Sequence, residues 1–421
     1  MRLPQGSHLS LSDTGLQIER VALRDLAEQH GTPLFVYSKA AMLEALAAYQ
    51  KGLKGRNAKI HYAMKANGNL AILQTFVQAG CGLDIVSGGE LARALQAGCP
   101  AQDIIFSGVG KTRAEMQQAL GAGIGCFNVE SIAEMHALNE VAGQLNQQAP
   151  ISLRVNPDVD AKTHPYISTG LKANKFGIAH EEAVAAYQLA QSLPHLQVMG
   201  IDCHIGSQIT QPGPYLDAMD KLLDLVERIE AQGISLSHID FGGGLGIDYQ
   251  GDTPPSAEAL WQDLLARMDA RGLGERHISI EPGRSLIGNA GVCLSQVQYL
   301  KPGVEKNFCI IDAAMNDLPR PSLYQAFHEI LPLQPRAGAA EIWDVVGPIC
   351  ESGDWIGQDR TLCIDAGDYL AIASAGAYCM SMSSNYNARN RAKELLVDGA
   401  QVHVIRERET TANQWQDERL L

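Results

Sequence analysis

Six short segments carry side chains able to do covalent or proton-transfer chemistry, each beside glycines or turn residues: HYAMKANGN at 61–69, DCHIGSQ at 202–208, DFGGGLG at 240–246, EPGR at 281–284, MNDLPRPSLY at 315–324 and GPICESGD at 347–354. Lys65 has apolar residues before it and a Gly/Asn turn after it. A lysine in partly apolar surroundings can have a lowered pKa and form a Schiff base with a carbonyl group. On position alone, a solvated lysine at a strand end is the commoner arrangement. Gly242, Gly243 and Gly244 lack side chains, so their backbone N–H groups can approach an anion closely. They can equally mark only a tight turn. Glu281 can keep a pyridine-type nitrogen protonated and so deepen an electron sink, or it can pair with Arg284 across Gly283 as a plain salt bridge. His204 can stack on a ring while Ser207 binds a phosphate, although a lone histidine at a strand end is more often structural. Cys350 can donate a proton or be a small buried hydrophobe. Arg320, close to Tyr324, has the fork geometry for a carboxylate, with surface exposure as its plain alternative.

These residues need a scaffold, and the chain supplies a repeating one. From residue 59, apolar runs alternate with helical patterns: KIHYAMK, GLDIVS, DIIFSG, GCFNVE, ISLRVN, VMGIDCHIG, HIDFGGG and HISIEPG read as eight strands. Stretches such as GELARALQAG and PYLDAMDKLLDLVERIEAQG show apolar residues at three- and four-residue steps and read as crossover helices. Eight such units predict an α/β fold with a (β/α)8 TIM-like barrel, in which functional residues gather at the C-terminal ends of the strands. After about residue 285 the pattern changes to VCLSQVQYL, NFCIIDA, EIWDVVG, TLCIDAG and QVHVIRE, short strands without regular helices between them. The expected organisation is a barrel over 38–285 and a C-terminal β-rich, sandwich- or barrel-like domain over 286–421, joined by 1–37, which includes the strand-like PLFVYS.

Composition narrows the class of function. The 421 residues are 46% apolar and 19% charged, enough to bury a large core. Acidic residues outnumber basic ones by 47 to 33, a net charge of −14 without a basic run, which argues against nucleic acid as a partner. The nine cysteines lack metal-site spacing and suggest reduced thiols. The opening MRLPQGSHLSLSDTG has no signal-peptide-like apolar stretch and no later segment approaches a membrane span, so a cytoplasmic protein without membrane contact is expected.

In order along the chain, HYAMKAN, GLDIVSGGEL, FSGVGKT, RVNPDVDAKTHPYISTGLKANKFG, HIGSQI, FGGGLG, EPGRSL, MNDLPRP, CESGD and GAYCMSMSSNYN resemble the diaminopimelate decarboxylases, fold-type III pyridoxal-phosphate enzymes, from about residue 30 to residue 400. The resemblance implies pyridoxal phosphate as cofactor and no metal. It implies Lys65 as the Schiff-base lysine, His204 against the ring, and Glu281 at the ring nitrogen. Ser207, Gly242, Gly243, Gly244, Gly283, Arg284 and Tyr378 would surround phosphate and substrate, and Arg284, Arg320, Tyr324, Glu351 and Tyr378 would contact the substrate. Cys350 would be the proton donor, supplied with Glu351 by the second subunit of a homodimer whose active site lies at the interface. The implied reaction removes carbon dioxide from the D-configured end of meso-diaminopimelate to leave L-lysine. A decarboxylase of ornithine, arginine or carboxynorspermidine is the nearest competitor, but CESGD together with Arg320 suits a tail bearing both an amine and a carboxylate. A racemase of the same fold would carry arginine where Glu281 stands. A non-catalytic carrier of the cofactor would have no use for the second domain. GLKANKFG, rich in Gly and Lys, permits a mobile lid.

Overall fold

The computed structural model describes residues 2–161, 163–167, 169–170 and 174–421. The chain divides into two compact units, one of Leu46–Ile247 with Thr253–Ser285, the other of Met1–Ala45, Asp248–Asp252 and Leu286–Leu421.

The first unit is a closed parallel barrel. Its strands are β1 (Ala58–Ala63), β2 (Gly82–Ile85), β3 (Ile104–Phe106), β4 (Cys126–Val129), β5 (Ala149–Asn156), β6 (Leu196–Asp202), β7 (His238–Asp240) and β8 (His277–Ile280). Each pairs in parallel with its sequence neighbour, and β8 returns to β1. All eight predicted strands are present, but most stop short of the predicted ends. The residues past each stop, including Lys65 in a 3-10 turn over Met64–Ala66, belong to rim loops. Helix starts are written into the chain: Ser87, Thr112, Ser131 and Ser256 each accept an N–H of the first turn on their side-chain oxygen.

The strand residues alternate. Leu83 and Ile85, Ile151 and Leu153, Ile201, Ile239, Ile278 and Ile280 are buried hydrophobic residues. Between them stand Asp84, Asn128, Ser152, Arg154, Asp202, Asp240 and Ser279, also buried. Asn128 on β4 reaches Glu281 just past β8, two strands that are not neighbours in the sheet, so the polar set faces the lumen. Barrels usually fill this space with layers of branched apolar side chains. A polar lumen breaks that rule and marks a functional site.

The second unit is β-rich. A sheet runs through Trp355–Leu362, Glu341–Val346, Phe308–Ile311, Gly291–Lys301, Leu34–Ser38, Lys393–Asp398 and Gln401–Arg406, with Ile330–Pro332 and Tyr369–Ile372 joining beside Gly291–Lys301. The N-terminal strand Leu34–Ser38 lies between Gly291–Lys301 and Lys393–Asp398, and its Leu34 and Val36 enter an apolar core with Leu294, Leu331 and Leu395. TLCIDAG is not a strand as expected. The strand is Trp355–Leu362, where the consecutive polar residues Gln358, Asp359, Arg360 and Thr361 hide the alternation. Nor are all the strands short: Gly291–Lys301 has eleven residues. Among the described residues no helix is long and apolar enough to cross a membrane.

Candidate active site

At the top of the lumen, Lys65 Nζ lies 3.2 Å from Asp84 Oδ2, with the lysine side chain 37% exposed and the aspartate fully buried. Glu281 accepts from Asn128 Nδ2 at 3.1 Å and from Ser107 Oγ at 3.4 Å. Arg154 donates to Glu130 at 2.8 Å and lies 3.9 Å from Asp202. Asp240 accepts the Gly242 N–H at 2.8 Å. One carboxylate oxygen each of Asp202, Asp240 and Glu281 fall within 4.8 Å of one another. Five acids, Asp84, Glu130, Asp202, Asp240 and Glu281, thus face two cations, Lys65 and Arg154.

Such a surplus cannot stay fully ionised away from water. Burial, reinforced by the charges of Asp240, Asp84 and Asp202, holds the Glu281 carboxyl well above the usual range. Burial and then Asp202 do the same to Asp240. Burial pushes Asp202 up to about 7 even against the Arg154 charge. The lumen therefore stores protons on carboxyl groups. Asp84 Oδ1, Asp202 Oδ1, Asp240 Oδ2 and Asn128 Oδ1 are buried without a hydrogen-bond partner. Acceptors of this kind suit a bound group that brings positive charge or donors, such as a protonated ring nitrogen.

Asp202 gives a pH test. Its carboxyl titrates near 3.8 in an ordinary setting and near 7 in the folded chain. Between these values the folded state holds a proton that the unfolded state has released, so this group's stabilising contribution is present at low pH and is lost as pH rises. Asp202→Asn should therefore gain stability relative to wild type as pH climbs from about 4 to about 7, with a slope approaching 1.4 kcal/mol per pH unit. Urea unfolding of the cofactor-free chain across that range checks it, and a difference independent of pH would contradict it.

The rim beyond β6, β7 and β8 is built from backbone. Gly243 donates its N–H to His204 Nδ1 at 3.1 Å, which puts the imidazole proton on Nε2. Burial, then the charges of Arg154 and Lys65, hold that imidazole well below its usual pKa, so it is neutral. A Cβ on Gly243 would meet the Glu281 carbonyl oxygen at 2.2 Å, and one on Gly244, whose φ is +110°, would meet the Gly206 oxygen at 2.4 Å. Glycine is required here to let β7 and β8 approach. The amides of Gly242 and Gly243 are engaged by Asp240 and His204. Beside them Arg284 donates Nε and Nη2 to Ser207 Oγ at 3.2 and 3.1 Å, while itself only 5% exposed. Gly283 packs against Ala63 and Ala66, next to Lys65. The barrel thus brings Lys65, His204, Ser207, Gly242–Gly244, Glu281, Gly283 and Arg284 to its C-terminal rim.

The other residues named from motifs lie in the β-rich unit. Arg320 is buried, against the exposed alternative: it opens the helix Arg320–Tyr324, its guanidinium lies 4.4 Å from the Tyr249 ring centroid, and Nη1 bonds His328 Nε2 at 2.8 Å. His328 Nδ1 donates to the Ala373 oxygen at 2.9 Å, so its Nε2 accepts from Arg320. Cys350 and Glu351 are exposed on a loop pinned by Asp354, which accepts from Ile349 N and Met315 N, each at 2.7 Å. Tyr378 has a φ of 58°, a left-handed conformation that an aromatic residue rarely adopts without a functional reason. Tyr324 lies at the C-terminal end of the Arg320–Tyr324 helix and is partly buried. The segment GLKANKFG, whose composition permits a mobile lid, falls partly on 171–173, outside the described residues; Phe176 stacks on Arg154 at 4.8 Å and Gly177 N–H donates to Glu130 at 2.9 Å.

Sequence reasoning passed over Asp84, Asn128, Arg154, Asp202, Asp240 and His328. The signal for the first five was available: polar residues alternating with apolar ones inside the strands, as in GLDI, CFNV, LRVN, GID and HID.

Comparison with known proteins gives first the class. Residues 39–288 match the family described as pyridoxal-dependent decarboxylase, pyridoxal binding domain. The chain is 52% identical to a diaminopimelate decarboxylase of Vibrio cholerae, over 97% of this chain and 98% of that one. It is 53% identical to one from Neisseria meningitidis, over 95% and 96%. The crystal structure of diaminopimelate decarboxylase from M. jannaschii in co-complex with L-lysine superposes with a TM-score of 0.94, at 37% identity, over 100% of this chain and 99% of that one. This chain belongs to the diaminopimelate decarboxylase family of pyridoxal-dependent enzymes.

Proposed function

We propose that the chain decarboxylates meso-diaminopimelate to L-lysine and carbon dioxide, the last step of lysine biosynthesis, with pyridoxal phosphate as cofactor. The observation that carries this reading is a half-exposed lysine at a barrel rim whose lumen holds clustered buried acids and unsatisfied buried acceptors. Bound there, pyridoxal phosphate supplies an aldehyde for amines and a ring that accepts the electron pair left when carbon dioxide departs. The fit is chemical: a protonated ring nitrogen answers the surplus of acid, and Ser207 and Arg284 answer a phosphate.

Each residue then has a task. Lys65 would hold the cofactor through its amine, the position that a substrate amine would compete for, with Asp84 orienting the lysine. Glu281 would stand at the ring nitrogen as its acid partner and keep it protonated. Neutral His204, fixed by Gly243, offers a flat face without adding charge. Gly244, Ser207 and Arg284 hold the phosphate, helped by Tyr378. Arg320, steered by His328, takes a substrate carboxylate together with Arg284, Tyr324 and Tyr378, and Glu351 takes the distal ammonium. Cys350 delivers a proton to the carbon that has lost carbon dioxide.

Cys350 and Glu351 are exposed on one chain, which supports a homodimer in which each subunit lends this loop to its partner's site. The nine cysteines are all free thiols, which supports a cytoplasmic setting. The test is stereochemical: meso-diaminopimelate labelled in the carboxyl of its D centre should release label and yield L-lysine, and label at the L centre should stay in the product. Release from the L centre would overturn the assignment.

A further inference from the structure

Two consecutive residues of one segment hold two consecutive residues of another. The Tyr386 hydroxyl donates to Glu351 Oε1 at 2.6 Å, and Asn387 Oδ1 accepts the Cys350 N–H at 3.4 Å. The backbone bends unusually to do this. Asn387 has φ 54° and ψ 29°, and Ala388 has φ 53°. Asparagine tolerates this left-handed region, but alanine enters it only at a steric cost.

The segment carrying Tyr386 is itself secured to the arginine-bearing stretch. Ser384 N–H donates to the Asn316 carbonyl at 2.9 Å, and Arg389 Nε donates to Asn316 Oδ1 at 3.0 Å. The Cys350 loop is tied to the same stretch, since Ser322 Oγ donates to the Gly353 carbonyl at 2.5 Å and Met315 N–H to Asp354. MNDLPRPS, CESGD and SSNYN are thus one assembly. Within it Tyr386 supplies a side-chain donor to the one Glu351 oxygen it reaches. That hydrogen bond, and then the Glu351 charge, raise the phenol's pKa, so the hydroxyl keeps its proton as a donor. Tyr386 is 45% exposed in the single chain, so its ring is not there to fill a core.

We propose that Tyr386 is a positioning and specificity residue: its hydroxyl fixes the Glu351 carboxylate, while Asn387 sets the preceding residue, so that the carboxylate meets the distal ammonium of a diamino dicarboxylate substrate. This rests on the reading of Glu351 as the group that takes that ammonium. Without the hydroxyl, Glu351 spreads over several rotamers and substrate affinity falls, while the reacting carbon and the cofactor are untouched.

The experiment is steady-state kinetics of the holoenzyme with meso-diaminopimelate for Tyr386→Phe, Glu351→Gln and the double variant. The visible absorbance of the bound cofactor and the Tm serve as folding controls. Tyr386→Phe should raise KM about tenfold, the worth of one hydrogen bond to a charged group, at nearly constant kcat. On the Glu351→Gln background it should add nothing. A Tyr386→Phe enzyme with wild-type KM, beside a Glu351→Gln enzyme with raised KM, overturns the proposal alone. Equal losses on both backgrounds also overturn it, because Tyr386 would then act without Glu351. If Glu351→Gln leaves KM unchanged, the reading of Glu351 falls and the proposal with it.

Discussion

Lys65→Ala is expected to abolish the visible absorbance of the lysine-bound cofactor and to lower turnover by about four orders of magnitude or more, the scale at which removing a covalent catalyst acts. The reason is local. Lys65 is the amine at the rim that pairs with buried Asp84, with its side chain 37% exposed, so it is both held in place and reachable. Removing it leaves Asp84 fully buried without the ammonium it pairs with. Absorbance spectroscopy after incubation with pyridoxal phosphate, followed by a carbon dioxide assay, checks the prediction. A variant that kept full activity would remove the lysine from the mechanism. Reduction with borohydride before proteolysis adds a mapping test, in which the cofactor should be found on the peptide carrying Lys65.

Cys350→Ala should separate the two halves of the chemistry. The variant is expected to bind cofactor with wild-type absorbance and to lose activity by roughly 10²–10⁴-fold, the usual worth of a positioned proton donor. Its side chain is exposed, and the shape of its loop comes from Asp354 rather than from the thiol, so stability should hardly change. Loss of cofactor absorbance in Cys350→Ala would mean that the residue shapes the cofactor site instead. Unchanged activity would take the proton from another group.

The barrel was legible because its eight apolar runs are separated by helical stretches, several of them opened by a side-chain cap. Its closure was not written locally, since β8 finds β1 across more than 200 residues of sequence. That closure is also why Asp84, Asp202 and Asp240 were passed over while Glu281 was named from its own motif. Each stands as a polar residue in its strand, and nothing local shows that these strands converge. Only the folded lumen sets them against one another and moves their proton affinities.

The rim residues named from motifs, by contrast, do meet: His204 with Gly243, and Ser207 with Arg284. In the β-rich unit the periodicity was weaker. WIGQDRTL alternates too irregularly to announce a strand, so the strand was placed too late, in TLCIDAG. The burial of Arg320 depends on His328 and Tyr249, neither of which its own sequence neighbourhood reveals.

The measurement that tests the central claim most directly is release of carbon dioxide by the purified protein supplied with pyridoxal phosphate, from meso-diaminopimelate set beside ornithine, arginine and lysine. Fast release from meso-diaminopimelate alone, with L-lysine formed in equal amount, is the predicted result. Preference for ornithine, arginine or lysine would keep the chemistry and contradict the substrate, and no release from any of them would contradict the enzyme.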